Sequence, residues 1–228
     1  MIKVHITPEE EAKILEELLQ EKPKDEISTS VSYDNLVWEP KKHDEYITFD
    51  ASLTRLKQQK FLRHPRPAEA FGLIAAHLEK KLPKYLDDIA MNMLSGKGEW
   101  LSMVMQRNGD TLVCYLDPEN LVWNASSSNR YDVSGGKLRY SEKKEFNIDG
   151  KKSDGWICAD QFSSELIRYC YGREFKQLPQ EMRTGDYKAY LYLPPDGKLW
   201  PAARGYDYFR YYLNGLNYDG ASRGIRRR

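Results

Sequence analysis

Apolar residues recur along this chain with two different periods, and the change of period divides it. From Thr7 the spacing is helical. Thr7 suits an N-cap, Pro8 the first helical position and Glu10 a capping box, and Ile14, Leu15, Leu18 and Leu19 form one stripe before Lys22-Pro23. Residues 24–44 carry no periodic pattern, and Glu45–Phe49 reads as a short strand. Three more helices are predicted over 51–62, 67–81 and 84–95, on the spacing of Leu53 and Leu56, of Phe71, Ile74 and Leu78, and of Leu86, Ile89 and Met93. Pro65, Pro67 and Pro83 punctuate them.

After Gly98 the pattern alternates. Trp100–Gln106 and Thr111–Leu116 flank Asn108-Gly109, a pair suited to the positive φ of a tight hairpin turn, and Leu101, Met103 and Met105 share one face. Leu121–Trp123, Lys137–Phe146, Trp156–Cys158 and Tyr187–Leu193 read as further strands, and Phe162–Tyr171 as one helix carrying Leu166, Ile167 and Cys170. The expected fold class is α+β: a helical N-terminal portion (1–95), then a mostly antiparallel β-sheet with one packed helix (96–228). The boundary near Gly96–Gly98 divides layers of one compact domain as readily as two units.

With 228 residues, 40% hydrophobic and 30% charged, the chain is long enough to bury a core without disulfides or a structural metal. Cys114, Cys158 and Cys170 share no metal-ligand spacing; Cys114 and Cys170 fall on apolar faces, and no cofactor is implied. The first residues lack the apolar stretch of a signal peptide, and the longest apolar run, Phe71–Ala76, is far too short for a bilayer. The expectation is a cytoplasmic protein without a membrane partner.

Charge changes the picture. Lys and Arg (35) nearly cancel Asp and Glu (34), yet residues 1–50 hold 6 cations against 13 anions. Arg55, Lys57, Lys60, Arg63 and Arg66 follow with His64 and no acid between them. From residue 161 onward 12 cations face 7 anions, ending in Arg226, Arg227 and Arg228. Eight of the 16 tyrosines lie at or after Tyr187, and Arg204, Arg210, Tyr206, Tyr208, Phe209 and Tyr211 are interleaved. Cations that track phosphates beside rings that stack bases are the means by which single-stranded nucleic acid is held. The same residues also serve strand packing, solvated helix faces and tails.

Catalytic signatures are sparse. His64, among cations, is the best placed histidine for acid–base work. Asp160 with Glu174-Phe175-Lys176 superficially resembles the Asp…Glu-x-Lys set of metal-dependent nucleases, but a helix is predicted between them, and Glu39-Pro40-Lys41 fits the short motif equally well. The leading reading is a non-catalytic nucleic-acid-binding or nucleoprotein subunit using Arg55, Lys57, Lys60, Arg63, Arg66, Arg204, Arg210 and Arg226 to Arg228 on phosphate. Tyr206, Tyr208, Phe209 and Tyr211 would stack bases, with RNA and DNA not distinguished. The alternatives are a protein–protein interaction subunit, homo-oligomeric or with another chain, since Tyr, Trp and Arg dominate interfaces, and a small hydrolase or nuclease.

Overall fold

The computed structural model describes residues 36–40, 43–94, 98–124, 130–151, 156–184, 188–204, 210–212 and 220–227. The helix expected from Thr7 lies outside them. Thirteen strands and five α-helices are described, in the order β1 (Leu36–Trp38), β2 (His43–Ile47), α1 (Phe49–Gln58), α2 (Pro67–Leu78), α3 (Lys84–Leu94), β3 (Glu99–Asn108), β4 (Thr111–Leu116), β5 (Leu121–Asn124) and β6 (Arg130–Val133). There follow β7 (Glu142–Asn147), β8 (Trp156–Cys158), α4 (Ser164–Tyr171), α5 (Gln180–Arg183), β9 (Tyr190–Tyr192), β10 (Leu199–Arg204), β11 (Arg210–Tyr212), β12 (Gly220–Ser222) and β13 (Ile225–Arg227). The fold is α+β, with a mostly antiparallel sheet; among the described strands only β9 with β11 and β3 with β12 pair in parallel.

A nine-stranded sheet runs β2-β12-β3-β10-β11-β9-β8, with β4 and β7 added beyond the second half of β3. Alternation along β3 serves two cores. Leu101, Met103 and Met105 face one cluster, shared with Phe71 and Ile74 of α2, Ile89 and Met93 of α3, and Leu166 and Cys170 of α4. Trp100 and Val104 face the other, with Phe49 and Leu53 of α1, Leu121 and Tyr131. Helix α2 is apolar almost all round, which fits its burial from Ala70 through Ala76.

Departures from the expected boundaries have local causes. Helix α1 starts two residues early because Thr48 caps it, its hydroxyl accepting from the Ala51 amide. It stops at Gln58; Lys60 turns left-handed (φ 64°) and directs Leu62 into a bond with the Ile225 carbonyl. The β3–β4 hairpin pairs Asn108 with Thr111, so Gly109 and Asp110 are the turn residues, one position later than expected. The strand predicted over Lys137–Phe146 is present only from Glu142; residues 137–141 are a loop because the Asn120 side chain clamps them: its amide donates to the Lys137 carbonyl (2.8 Å) and its carbonyl accepts from the Arg139 amide (2.8 Å). Strands β1, β6 and β10 to β13 have no counterpart among the predicted elements.

One segment ties the layers together. Glu99, Arg204 and Arg223 are each wholly buried. Glu99 heads β3, opposite Arg204 on β10 and Ala221 on β12. Its carboxylate accepts from Arg223 Nε (3.1 Å) and Nη2 (3.3 Å), and Arg204 Nη2 lies 4.0 Å away. Arg223 also donates to the Glu39 carbonyl and to Asn92 Oδ1 of α3 (2.6 Å). Next to it, Gly224 exchanges backbone and side-chain bonds with Glu39, and a Cβ there would lie 2.4 Å from Phe61 Cγ. The strand then continues as β13, pairing with β1.

Two outcomes follow for denaturant unfolding. Gly224→Ala should lose about 1–3 kcal/mol through overpacking on Phe61. Arg223→Ala should lose about 3–5 kcal/mol, since it strips a wholly buried carboxylate of its bidentate partner. A neutral result for either would contradict the packing described.

Candidate binding groove

Where α1 ends, the chain runs extended through Leu62–Arg66 and enters α2 at Pro67. Backbone bonds hold this run on both sides: Ile225 donates to the Arg63 carbonyl (2.9 Å) and Ser102 of β3 to the Pro65 carbonyl (2.8 Å). The Ser102 carbonyl in turn accepts from Asp117 (3.0 Å), the residue after β4, which is left-handed at φ 50°. A groove of about 1300 Å³ follows this line. Its cations are Lys57, Arg63, Arg66, Lys144, Arg168 and Arg226, and its acids are Glu69, Asp117, Glu119, Glu142 and Glu165.

The centre of the groove is an ion-pair quartet. Arg63 grips Glu69 with both terminal nitrogens (2.7 Å each), and its Nε lies 3.3 Å from Asp117. Arg66 holds Asp117 through Nε (3.2 Å) and Nη2, and Ser141 Oγ donates to the same carboxylate (2.6 Å). Glu69, at the third position of α2, also accepts from the Arg66 amide (2.7 Å), so the helix start and the quartet share a carboxylate. Burial alone would push the Asp117 carboxyl up; the hydrogen bonds from Arg66 and Ser141 and the two guanidinium charges outweigh it and hold it below the usual range. The bond to Asp117 raises Arg66 above its ordinary value.

The two cationic stretches foreseen as a phosphate surface therefore meet in part: Lys57, Arg63 and Arg66 border the same groove as Arg226, and Lys57 and Arg226 are exposed. Lys60 is exposed and Arg55 half-buried on α1. Arg204 is a correction. It is sealed in the core against Glu99, where no phosphate reaches it. Arg63 and Arg66 are already matched by fold-held carboxylates. Arg210 and Tyr211 lie on β11 and Arg227 on β13; their side chains, with Tyr206, Tyr208, Phe209 and Arg228, lie outside the described residues.

His64 is likewise corrected as an acid–base candidate. It is wholly buried; Nδ1 donates to the Arg223 carbonyl (3.3 Å), so Nε2 accepts from Ser52 Oγ (3.1 Å). Burial above all lowers its pKa to about 3, and Arg55 and Arg63 act in the same direction. Of the nuclease-like set, Glu174 pairs with Arg168, and α4 stands between it and Asp160. Among the described residues no group of three His, Cys, Asp or Glu is arranged to hold a metal. Sequence reasoning missed Asp117 and Ser102, whose neighbours are distant in the chain; Glu69, three residues after Arg66 and behind a proline, was readable as a helix-start carboxylate.

No known protein family matches the chain, and neither characterised proteins nor solved structures show a significant likeness to it.

The buried imidazole sets an acid dependence. Between pH 6.5 and about 3 the unfolded chain binds a proton on His64 that the folded chain refuses. Stability from this residue is therefore complete above 6.5 and falls on acidification, by up to roughly 1.4 kcal/mol per pH unit. Urea unfolding from pH 7 to 4 should show that slope in the wild type and a flatter one in His64→Gln; equal slopes would mean the imidazole titrates freely in the folded state.

Proposed function

We propose that this chain is a non-catalytic binding subunit whose groove receives a segment of another polypeptide. One observation carries the reading: six cations and five acids line the groove, and the four charges at its centre are already paired with one another. A polyanion gains affinity by exchanging counterions for unmatched Lys and Arg, and such a surface offers it little net charge. A polypeptide supplies both signs, donors, acceptors and apolar side chains. Leu62, 61% exposed on the wall of the groove, gives an apolar side chain something to cover.

A second reading, binding of single-stranded nucleic acid, draws support from the meeting of Lys57, Arg63, Arg66 and Arg226 along one groove. Salt dependence separates the two. Each phosphate neutralised contributes about 0.7 to the slope of log affinity against log salt for a single strand. The polypeptide reading expects a labelled oligonucleotide of about twenty residues to bind no tighter than micromolar at low salt. It also expects selection from displayed peptides of about twelve residues to yield sequences that lose binding to Leu62→Glu. Tight oligonucleotide binding with a steep slope, relieved by Lys57→Glu and Arg226→Glu, would reverse the order of the two readings. No peptide enrichment on the wild type would end the first.

A further inference from the structure

The hydrogen-bond inventory of the groove is lopsided. Both central carboxylates are filled by the fold's own groups: Asp117 accepts from Arg66 and Ser141 beside the Arg63 guanidinium, and Glu69 accepts from Arg63 twice and from the Arg66 amide. Donors remain over. Arg66 Nη1 carries two N–H groups with no acceptor among the described residues, on a side chain 34% exposed to the groove. Ser102 is 1% exposed and lines the same groove, and its Oγ has no hydrogen-bond partner among the described residues. A buried hydroxyl left in that state costs free energy that a ligand recovers. Its place is fixed, because its own amide and carbonyl are bonded to Pro65, the neighbour of Arg66, and to Asp117, the partner of Arg66.

We infer that the stretch of groove between Ser102 and Arg66 is a carboxylate subsite, which seats an Asp or Glu side chain of the bound polypeptide. This rests on the polypeptide reading and names the group that anchors it. One carboxylate oxygen accepts from Arg66 Nη1 and the other from the Ser102 hydroxyl. The quartet serves as scaffold, holding the Arg66 guanidinium by its Nε and Nη2 edge so that Nη1 is presented without further ordering. A carboxylate suits the place better than a phosphate. Residues flanking it in a polypeptide can answer Glu119 and Glu142, which line the same groove, with cations and cover Leu62, whereas the phosphates flanking one another in a nucleic acid would meet those acids with like charge.

The test is anisotropy with a labelled peptide of about twelve residues alternating Glu and Ala, its Gln-Ala counterpart, and an oligothymidylate of equal charge. The wild type should bind the Glu peptide at least roughly tenfold more tightly than the Gln peptide, as expected for charge-assisted hydrogen bonds. Arg66→Gln should erase that preference. Ser102→Ala should weaken the Glu peptide roughly three- to tenfold while leaving Tm unchanged or raised, since it deletes a hydroxyl that has no partner in the free protein. A purely structural Ser102 would not give that combination, and the variant keeps the test sound should Arg66→Gln unfold. Equal binding of the Glu and Gln peptides, or wild-type affinity in Ser102→Ala, overturns the subsite; if Leu62→Glu still weakens both peptides, the groove reading survives that loss. Indifference of every peptide to Leu62→Glu overturns the groove reading with it. Tighter binding of the oligothymidylate than of the Glu peptide makes this a phosphate site and overturns the carboxylate assignment.

Discussion

Glu99 is the constraint around which the chain is arranged. A carboxylate with no exposure must be paired and hydrogen-bonded or it will not stay ionised, and the groups that satisfy it come from remote parts of the sequence. Arg223 arrives from the C-terminal segment and Arg204 from the neighbouring strand. Asn92 on α3 and the Glu39 carbonyl beside β1 accept one further bond each from Arg223. Two arginines converge on one carboxylate. Arg204 accordingly sits below its ordinary pKa, chiefly through burial, with the Arg223 charge adding to that and Glu99 opposing it. A buried ion pair of this kind contributes little net stability over an apolar core of the same shape, whereas the loss of one partner is severe. What it supplies is a tie between remote segments, since Arg223 joins β3, α3 and the Glu39 backbone.

That tie shapes the groove. Once Arg223 is anchored, Gly224 slides between Phe61 and Leu56 where no side chain fits, and Ile225 meets Leu62 and Arg63 in backbone pairing. The extended run from Leu62 to Arg66 is then pinned from one side by the C-terminal strand and from the other by Ser102 of β3. Arg63, Arg66, Glu69 and Asp117 come into reach of one another because of this double attachment. The result is a surface rich in charge yet nearly neutral, which gives it directionality and hydrogen-bond specificity in place of long-range attraction.

Periodicity exposed most of the architecture. The α2 and α3 stripes, the β3 face of Leu101, Met103 and Met105, and the α4 stripe depend on neighbours three, four or two residues away, and such local spacing is written in the chain. Short strands without an alternating run of their own were hidden, although Trp156–Cys158 was not. Strand β1 exists because β13 lies beside it, and nothing in Leu36-Val37-Trp38 announces a partner 189 positions later. The charge distribution is uneven as expected, and Lys57, Lys60 and Arg226 are exposed, whereas Arg204 is sealed in the core. Composition records how many arginines a segment holds, but not that Arg204 faces Glu99 across a strand pair or that Arg63 closes on Glu69. The aromatic half of the expected site, from Tyr206 to Phe209, falls outside the described residues.

Native-state hydrogen exchange probes the organising role of Glu99 most directly. The amides of Leu62 and Ile225 bond across the junction between the extended run and the C-terminal segment, and those of Met103 and Met105 lie in the sheet core. If the buried carboxylate locks the junction into the fold, all four exchange only through global unfolding, and Glu99→Gln lowers the protection of Leu62 and Ile225 below that of the core pair. Rapid exchange of Leu62 and Ile225 through local opening in the wild type, unchanged by Glu99→Gln, would contradict it.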